Sequence, residues 1–250
     1  MLTKKQIVQK LSSIDIEEKI IIIHSDITGL VFKDFSVKKL WEIIFSSFGK
    51  NKIYIFPTFT FNFSKNKIWD YHKTKSETGI LSEYFRTKIA NKRTIHPLHS
   101  VAIYSKKKSS LMKHTSSSSF GKGSIWEQLS KSKNVCNIAL GLNLDGGATF
   151  CHYAEESQKV DYREFINLPG NIYDEKNKLV NKKFKYYARK KKNKILNNWR
   201  KCEKDLKIKK IIKKYKFPKN KYQILKMNTF EVTQFLQKKI KKDSNYLIKK

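Results

Sequence analysis

Residues 19–56 carry the strongest constraint on what this chain can become. Lys19 to His24 is a run of isoleucines closed by a histidine, a composition and length that suit a buried strand. Ser36 then opens an apolar pattern at Val37, Leu40, Trp41, Ile44, Phe45 and Phe48. Its 3–4 spacing predicts an amphipathic helix with Ser36 as N-cap, ended by Gly49. Lys52 to Phe56 predicts a second strand, stopped by Pro57. A strand, a helix and a strand in that order indicate a parallel α/β core. The first strand runs into His24-Ser25-Asp26, a polar turn where open α/β sheets place ligand contacts.

The remaining segments read less sharply. Residues 57–79 are aromatic-rich and irregular, with Thr58, Phe59, Thr60, Trp69 and Tyr71, and predict a long functional loop. Ile80 to Ala90 predicts a helix and Val101 to Tyr104 a strand. A lysine- and serine-rich stretch (106–119) leads to Phe120-Gly121-Lys122-Gly123-Ser124, where Ser124 and Glu127 have capping-box spacing before a helix. Val135 to Leu142 predicts a buried strand, Asp145-Gly146-Gly147 a turn, and Thr149 the start of a helix. Residues 173–192 predict a peripheral hairpin, and Thr229 to Lys242 a last helix with an apolar stripe at Val232, Phe235, Leu236 and Ile240. The expectation is one domain over 1–250, a core of 1–172 with a basic segment, 173–250, packed on it. No internal repeat is visible.

With 39% hydrophobic residues over 250 positions, the chain can bury a core, which excludes wholesale disorder. The longest aliphatic run, Ile20 to Ile23, is far short of a membrane span, and Met1 to Asp15 has no apolar signal core. Three cysteines, Cys136, Cys151 and Cys202, form neither a disulfide framework nor a metal pattern. A cytoplasmic protein is expected. The formal charge of +33 is uneven: from Asn181 onward 26 Lys+Arg face 4 Asp+Glu. A nucleic-acid-binding tail is one reading. A solvated lysine-rich surface is preferred, because no base-reading motif or aromatic stacking series accompanies the lysines.

Thr149 to Glu156 has the strongest chemical character. On a helix, His152 shares a face or its edge with Thr149, three residues before it, and with Glu155 and Glu156 after it. A carboxylate beside an imidazole fixes its tautomer and raises its basicity, as a general base requires. The competing reading is an ordinary helix start, with Thr149 as cap and a surface histidine. His96 and His99 suggest a metal site with His24 and His152. Pro97 breaks that pairing, and no carboxylate has zinc-motif spacing, so no metal is expected. Cys151 and His152, as helix neighbours, point apart and form no nucleophile–base pair. The glycines at 121 and 123 match no P-loop, which leaves ATP chemistry unsupported.

Seven segments, in order, resemble the aminoglycoside 3-N-acetyltransferase (antibiotic acetyltransferase) family. They are Ile23 to Ile27, Phe56-Pro57-Thr58-Phe59-Thr60, Glu77 to Arg86, His96-Pro97-Leu98-His99-Ser100, Phe120 to Ser124, Thr149 to Glu156, and Asp161-Tyr162-Arg163. The resemblance implies a three-layer α/β/α sandwich with a mixed central sheet. It implies acetyl-CoA as co-substrate and direct acetyl transfer to an amine. His152 would be the general base, oriented by Glu155 or Glu156, with Glu83 a further candidate carboxylate. CoA contacts would fall on His24, Ser25, Asp26 and Ile27, on Thr58, on His99 and Ser100, and on Phe120, Gly121 and Ser124. Asp26 departs from the serine usual there and puts a negative charge near an anion site. A chain at +33 repels polycationic aminoglycosides at long range, so a nucleotide-linked or glycan amino sugar is the expected acceptor. Sugar O-acetylation, aminoglycoside 3-N-acetylation, a nucleic-acid partner and a non-catalytic scaffold are the alternatives, and a homodimer is left open.

Overall fold

The computed structural model describes residues 2–107, 109–113, 116–190, 196–217 and 222–249. Its first half runs α1 (Lys4–Ser12), β1 (Ile20–Ser25), α2 (Val37–Phe48), β2 (Ile53–Pro57), α3 (Phe63–Asn66), β3 (Ile68–Asp70), α4 (Ile80–Lys88), β4 (Lys92–Arg93) and β5 (Val101–Tyr104). There follow α5 (Ile125–Lys131), β6 (Val135–Leu140), α6 (Leu144–Gly147), α7 (Cys151–Ser157), β7 (Arg163–Leu168), β8 (Asn171–Tyr173) and β9 (Phe184–Arg189). The chain closes with α8 (Trp199–Ile208), β10 (Ile212–Lys216), β11 (Gln223–Asn228) and α9 (Thr229–Lys242).

Seven strands form a mixed sheet in the order β10-β11-β6-β1-β2-β5-β4. Only β6, β1 and β2 run parallel, and their partners on either side are antiparallel. Period-2 alternation sorts β1 between two cores. Ile21 and Ile23 point toward α1, α2 and α4, packing with Leu11, Leu40, Trp41 and Phe85. Ile22 points the other way, toward Trp126, Ala154, Cys202 and Val232 on α5, α7, α8 and α9. The result is a three-layer α/β/α sandwich. α2 starts where the sequence says: Ser36 Oγ accepts from Lys39 N at 3.2 Å, and Gly49 ends it at φ 112°.

More of the basic segment joins the core than its charge suggests. β10 and β11 complete one side of the central sheet, and α8 and α9 cover it. Tyr222, at the entry to β11, donates its hydroxyl to the Asp26 carbonyl at 2.6 Å, tying this segment to the turn after β1. The predicted hairpin over 173–192 forms only as a short turn at its start, where Tyr173 bridges Leu179 antiparallel and Asp174 N donates to the Lys178 carbonyl at 2.9 Å. β8 pairs with β3, and β9 pairs with β7, because Phe184 and Ile172 bury in a satellite cluster with Trp69 and Leu168. Positions 191 and 192 of that hairpin, like 108, 114 and 115 of the 106–119 stretch, lie outside the described residues. Ser124 does cap α5, accepting from Glu127 N at 3.0 Å. The Glu127 carboxylate reaches back to Gly123 N rather than to Ser124 N, so the box is half made.

Candidate active site

β1, β2 and β6 end side by side, and a crevice opens beyond their carboxyl ends, where open α/β sheets bind ligands. One cavity of about 300 Å³ is lined by His24 and Ser25 from β1, Pro57 from β2, Phe59, Thr78, and Thr149 before α7. A second, of about 370 Å³, shares Ser25 and Thr78 and continues along Asp26, Ile27 and Gly79. Phe61 and Ile80, both exposed, border the pair. The Ser25 hydroxyl is buried there and has no hydrogen-bond partner among the described residues. That hydroxyl is free to bond a group entering the crevice.

His24 belongs to a polar chain laid across the sheet. Asn137, in register with Ile22, donates Nδ2–H to the Gly147 carbonyl at 2.6 Å. A carbonyl only accepts, so Asn137 presents Oδ1 to His24 and takes its Nδ1–H at 2.9 Å. His24 Nε2 is then the bare nitrogen, and Thr149 Oγ1–H donates to it at 2.8 Å. Burial lowers the His24 pKa to about 4 against the opposing bond to Asn137, so the ring is neutral at physiological pH. Thr149 therefore does not cap α7, whose N-cap position is Phe150 with no side-chain bond. That removes the reading of this segment as an ordinary capped helix start.

His152 sits at the start of α7. Its Nδ1 lies 2.5 Å from Glu155 Oε2, one helical turn on. Glu155 is 1% exposed and fully engaged. Tyr162 donates its hydroxyl to Oε1 at 2.8 Å, while Arg163 donates Nε–H to Oε1 at 3.0 Å and reaches Oε2 through Nη2 at 2.9 Å. Burial alone would raise the Glu155 carboxyl, but His152, Arg163 and Tyr162 outweigh it and bring the pKa down to about 2. A permanent carboxylate keeps the proton on Nδ1, leaving Nε2 as the basic nitrogen. Nε2 makes no hydrogen bond among the described residues, and the side chain is 25% exposed. Burial lowers the imidazole pKa, Glu155 opposes that shift, and Arg163 and Arg189 add to it, so the ring is neutral near pH 7.

Phe120 and Trp199 pack against the His152 ring at centroid distances of 5.1 and 6.0 Å. Trp199 also lines a groove of about 650 Å³ with Asn143, Asp145, Arg200 and Lys204. His152 itself lines neither cavity: Thr149, three residues before it, is on the wall of one, and Trp199, packed on its ring, is on the wall of the other.

Several predicted site residues lie elsewhere. Glu156 is separated from His152 by its own contacts: Oε1 accepts from Ser118 Oγ at 2.9 Å, packed where a Cβ on Gly121 would collide with it. Glu83 is held by Arg86 at 2.7 and 2.8 Å and by Ser76 N at 2.8 Å, which braces the 57–79 loop. Thr58 and Ser100 are wholly buried. They bond each other at 2.9 Å, and Arg93, buried over the Trp69 ring, ties both to the loop carbonyls of Tyr71 and Thr74. Gly121 and Ser124 are likewise buried in packing and capping roles. His99 is buried against Phe59, Phe120 and Tyr186, and its Nδ1 meets Ser119 Oγ at 2.9 Å. Asp26 spends Oδ1 on Thr28 N and Oγ1, at 3.0 and 2.7 Å. His24, Ser25, Asp26 and Ile27 do line the crevice. Among the described residues no three His, Cys, Asp or Glu side chains gather into a metal-holding group.

Sequence reading missed Asn137, Arg163, Tyr162 and Trp199 as site residues. Asn137 left a signal, one amide inside the apolar run Val135 to Leu140. Tyr162 and Arg163 stood in the Asp161-Tyr162-Arg163 segment of the resemblance but were given no role, and Trp199 left no signal.

A family model described as aminoglycoside 3-N-acetyltransferase matches residues 22–241. No curated protein sequence matches the chain. Among solved structures, aminoglycoside acetyltransferase AAC(3)-Xa superposes with a TM-score of 0.79 at 14% identity, covering 98% of this chain and 94% of that one. A histidine-to-alanine mutant of aminoglycoside acetyltransferase AAC(3)-IVa, in complex with a gentamicin, gives 0.77 at 15% identity over 98% and 90%. AAC-IIIb, solved as a binary complex with CoASH, gives 0.77 at 12% identity over 96% and 97%. At these identities the likeness establishes the fold.

Proposed function

The chain belongs to the aminoglycoside 3-N-acetyltransferase family, and from that premise we propose that it transfers the acetyl group of acetyl-CoA directly to the amine of an amino sugar, with His152 as general base. The observation that carries this reading is the His152–Glu155 contact at 2.5 Å, backed by Tyr162 and Arg163, which leaves Nε2 without a partner among the described residues on a side chain 25% exposed. An amine must lose its proton as it attacks a thioester carbonyl. His152 Nε2 takes that proton, and Glu155 stabilises the imidazolium that forms. The C–N bond forms, the C–S bond breaks, and the thiolate leaves.

The crevice along Ser25, Thr78 and Gly79 suits the pantetheine arm. Its unpartnered Ser25 hydroxyl can bond an amide of that arm, and exposed Phe61 and Ile80 can cover apolar atoms. The groove beyond Trp199 is then left for the acceptor. Three buried free thiols suit a reducing, cytoplasmic setting. Among the described residues no helix is long and apolar enough to cross a membrane.

Amine-dependent release of CoA thiol tests this reading. The full chain should turn over acetyl-CoA with an amino sugar, and His152→Gln should slow it by about 10²–10⁴-fold while acetyl-CoA binding persists. A His152→Gln protein that binds acetyl-CoA and works at the wild-type rate would remove His152 from the chemistry.

A further inference from the structure

The groove beside Trp199 is lined by Asp145, Arg200, Glu203, Lys204 and Lys207 among others, and its charges are not equally free. Glu203 is used up within the protein: Oε2 accepts from Leu144 N at 2.8 Å, and Oε1 pairs with Lys207. Lys207 is thereby neutralised. Arg200 and Lys204 are exposed and have no ion-pair partner among the described residues. They lie four residues apart on α8, so their side chains emerge side by side. Two like charges at that spacing repel each other, and a doubly charged anion between them reverses the sign. The open carboxylate is Asp145, whose Oδ1 lies 3.5 Å from the Asn197 amide. A polycation would meet one open carboxylate against two open cations.

We propose that the acceptor is an amino sugar bearing a phosphate ester, held by Arg200 and Lys204 with its amine turned toward His152. This rests on the acetyl-transfer reading above. The shared chemistry is the phosphate, whether it stands alone on the sugar or links it to a nucleotide. Asp145 meets the single ammonium that such an acceptor carries before it is deprotonated.

Calorimetry on the full chain saturated with CoA tests this, using glucosamine, glucosamine 1-phosphate, a uridine-diphosphate-linked amino sugar and kanamycin. At least one phosphate-bearing sugar should bind tenfold or more tighter than glucosamine and kanamycin. Which of the two binds tighter decides between a simple sugar phosphate and a nucleotide-linked one. Arg200→Glu and Lys204→Glu should abolish that advantage, with acetyl-CoA affinity reporting that the variants are folded. Should charge reversal unfold α8, the salt dependence of the wild-type protein gives the same answer: affinity for the phosphate sugar should fall steeply with ionic strength. Kanamycin binding tightest, or a phosphate preference that survives both reversals and high salt, overturns the inference. Acetyl transfer to amines without phosphate preference overturns only the inference, whereas no acetyl-CoA binding at all overturns the acetyl-transfer reading beneath it.

Discussion

An imidazole taken out of water resists protonation, and of the three histidines whose pKa burial lowers, His24, His99 and His152, the first and last sit at the candidate site with different neighbours. His24 has its pKa lowered to about 4 by burial, while an unfolded chain would protonate it near the ordinary value of 6.5. The unfolded state therefore takes up the proton first. Stability is complete above pH 6.5 and is lost as the pH falls toward 4, by about 3 kcal/mol for this group. Denaturant titrations between pH 7 and 4 should show His24→Gln losing less stability over that window than the wild type. His152 differs because it has a carboxylate partner. Glu155 raises its pKa against burial, so Glu155→Gln should move the acidic limb of kcat/KM to lower pH and reduce the plateau by about 10- to 100-fold. An unmoved limb would mean that another group governs the rate. Of these two clusters only the His152–Glu155 pair was legible from spacing, since both lie on one helix. Arg163 and Tyr162 come from the strand after it and its approach, and Asn137 meets His24 only because β1 and β6 pair in register.

At the scale of elements, β10 explains part of the excess charge. It is an edge strand with Ile212 buried and Lys213, Lys214 and Lys216 exposed. Lysines along a free edge discourage another chain from pairing with it. Replacing all three by valine should promote association, seen by light scattering, with the thermal midpoint changed by no more than about 2 °C. A triple variant that associates no more than the unaltered protein would mean that the edge is protected otherwise. The same lysines hid β10 from sequence reading, because Lys213-Lys214-Tyr215-Lys216 shows no apolar alternation. β1, α2, β5 and α9 were legible for the opposite reason: their buried faces repeat at strand or helix period. The segment 173–192 misled beyond its first turn because its apolar residues serve a satellite cluster built from three distant stretches.

For the whole molecule, the parallel trio β6-β1-β2 aims its carboxyl ends at the crevice, and the basic C-terminal segment finishes both the sheet and the groove. In the proposed reading net charge bears on the choice of acceptor, while the chemistry is assigned to one imidazole. The most direct test measures the titration of the His152 ring protons by NMR beside the pH dependence of kcat/KM on the same protein. The account predicts one shared midpoint, below the 6.5 of a free imidazole, with activity rising as the ring loses its proton. A ring that titrates above pH 7, or a rate profile whose acidic limb ignores it, would contradict the assignment of His152 as the base.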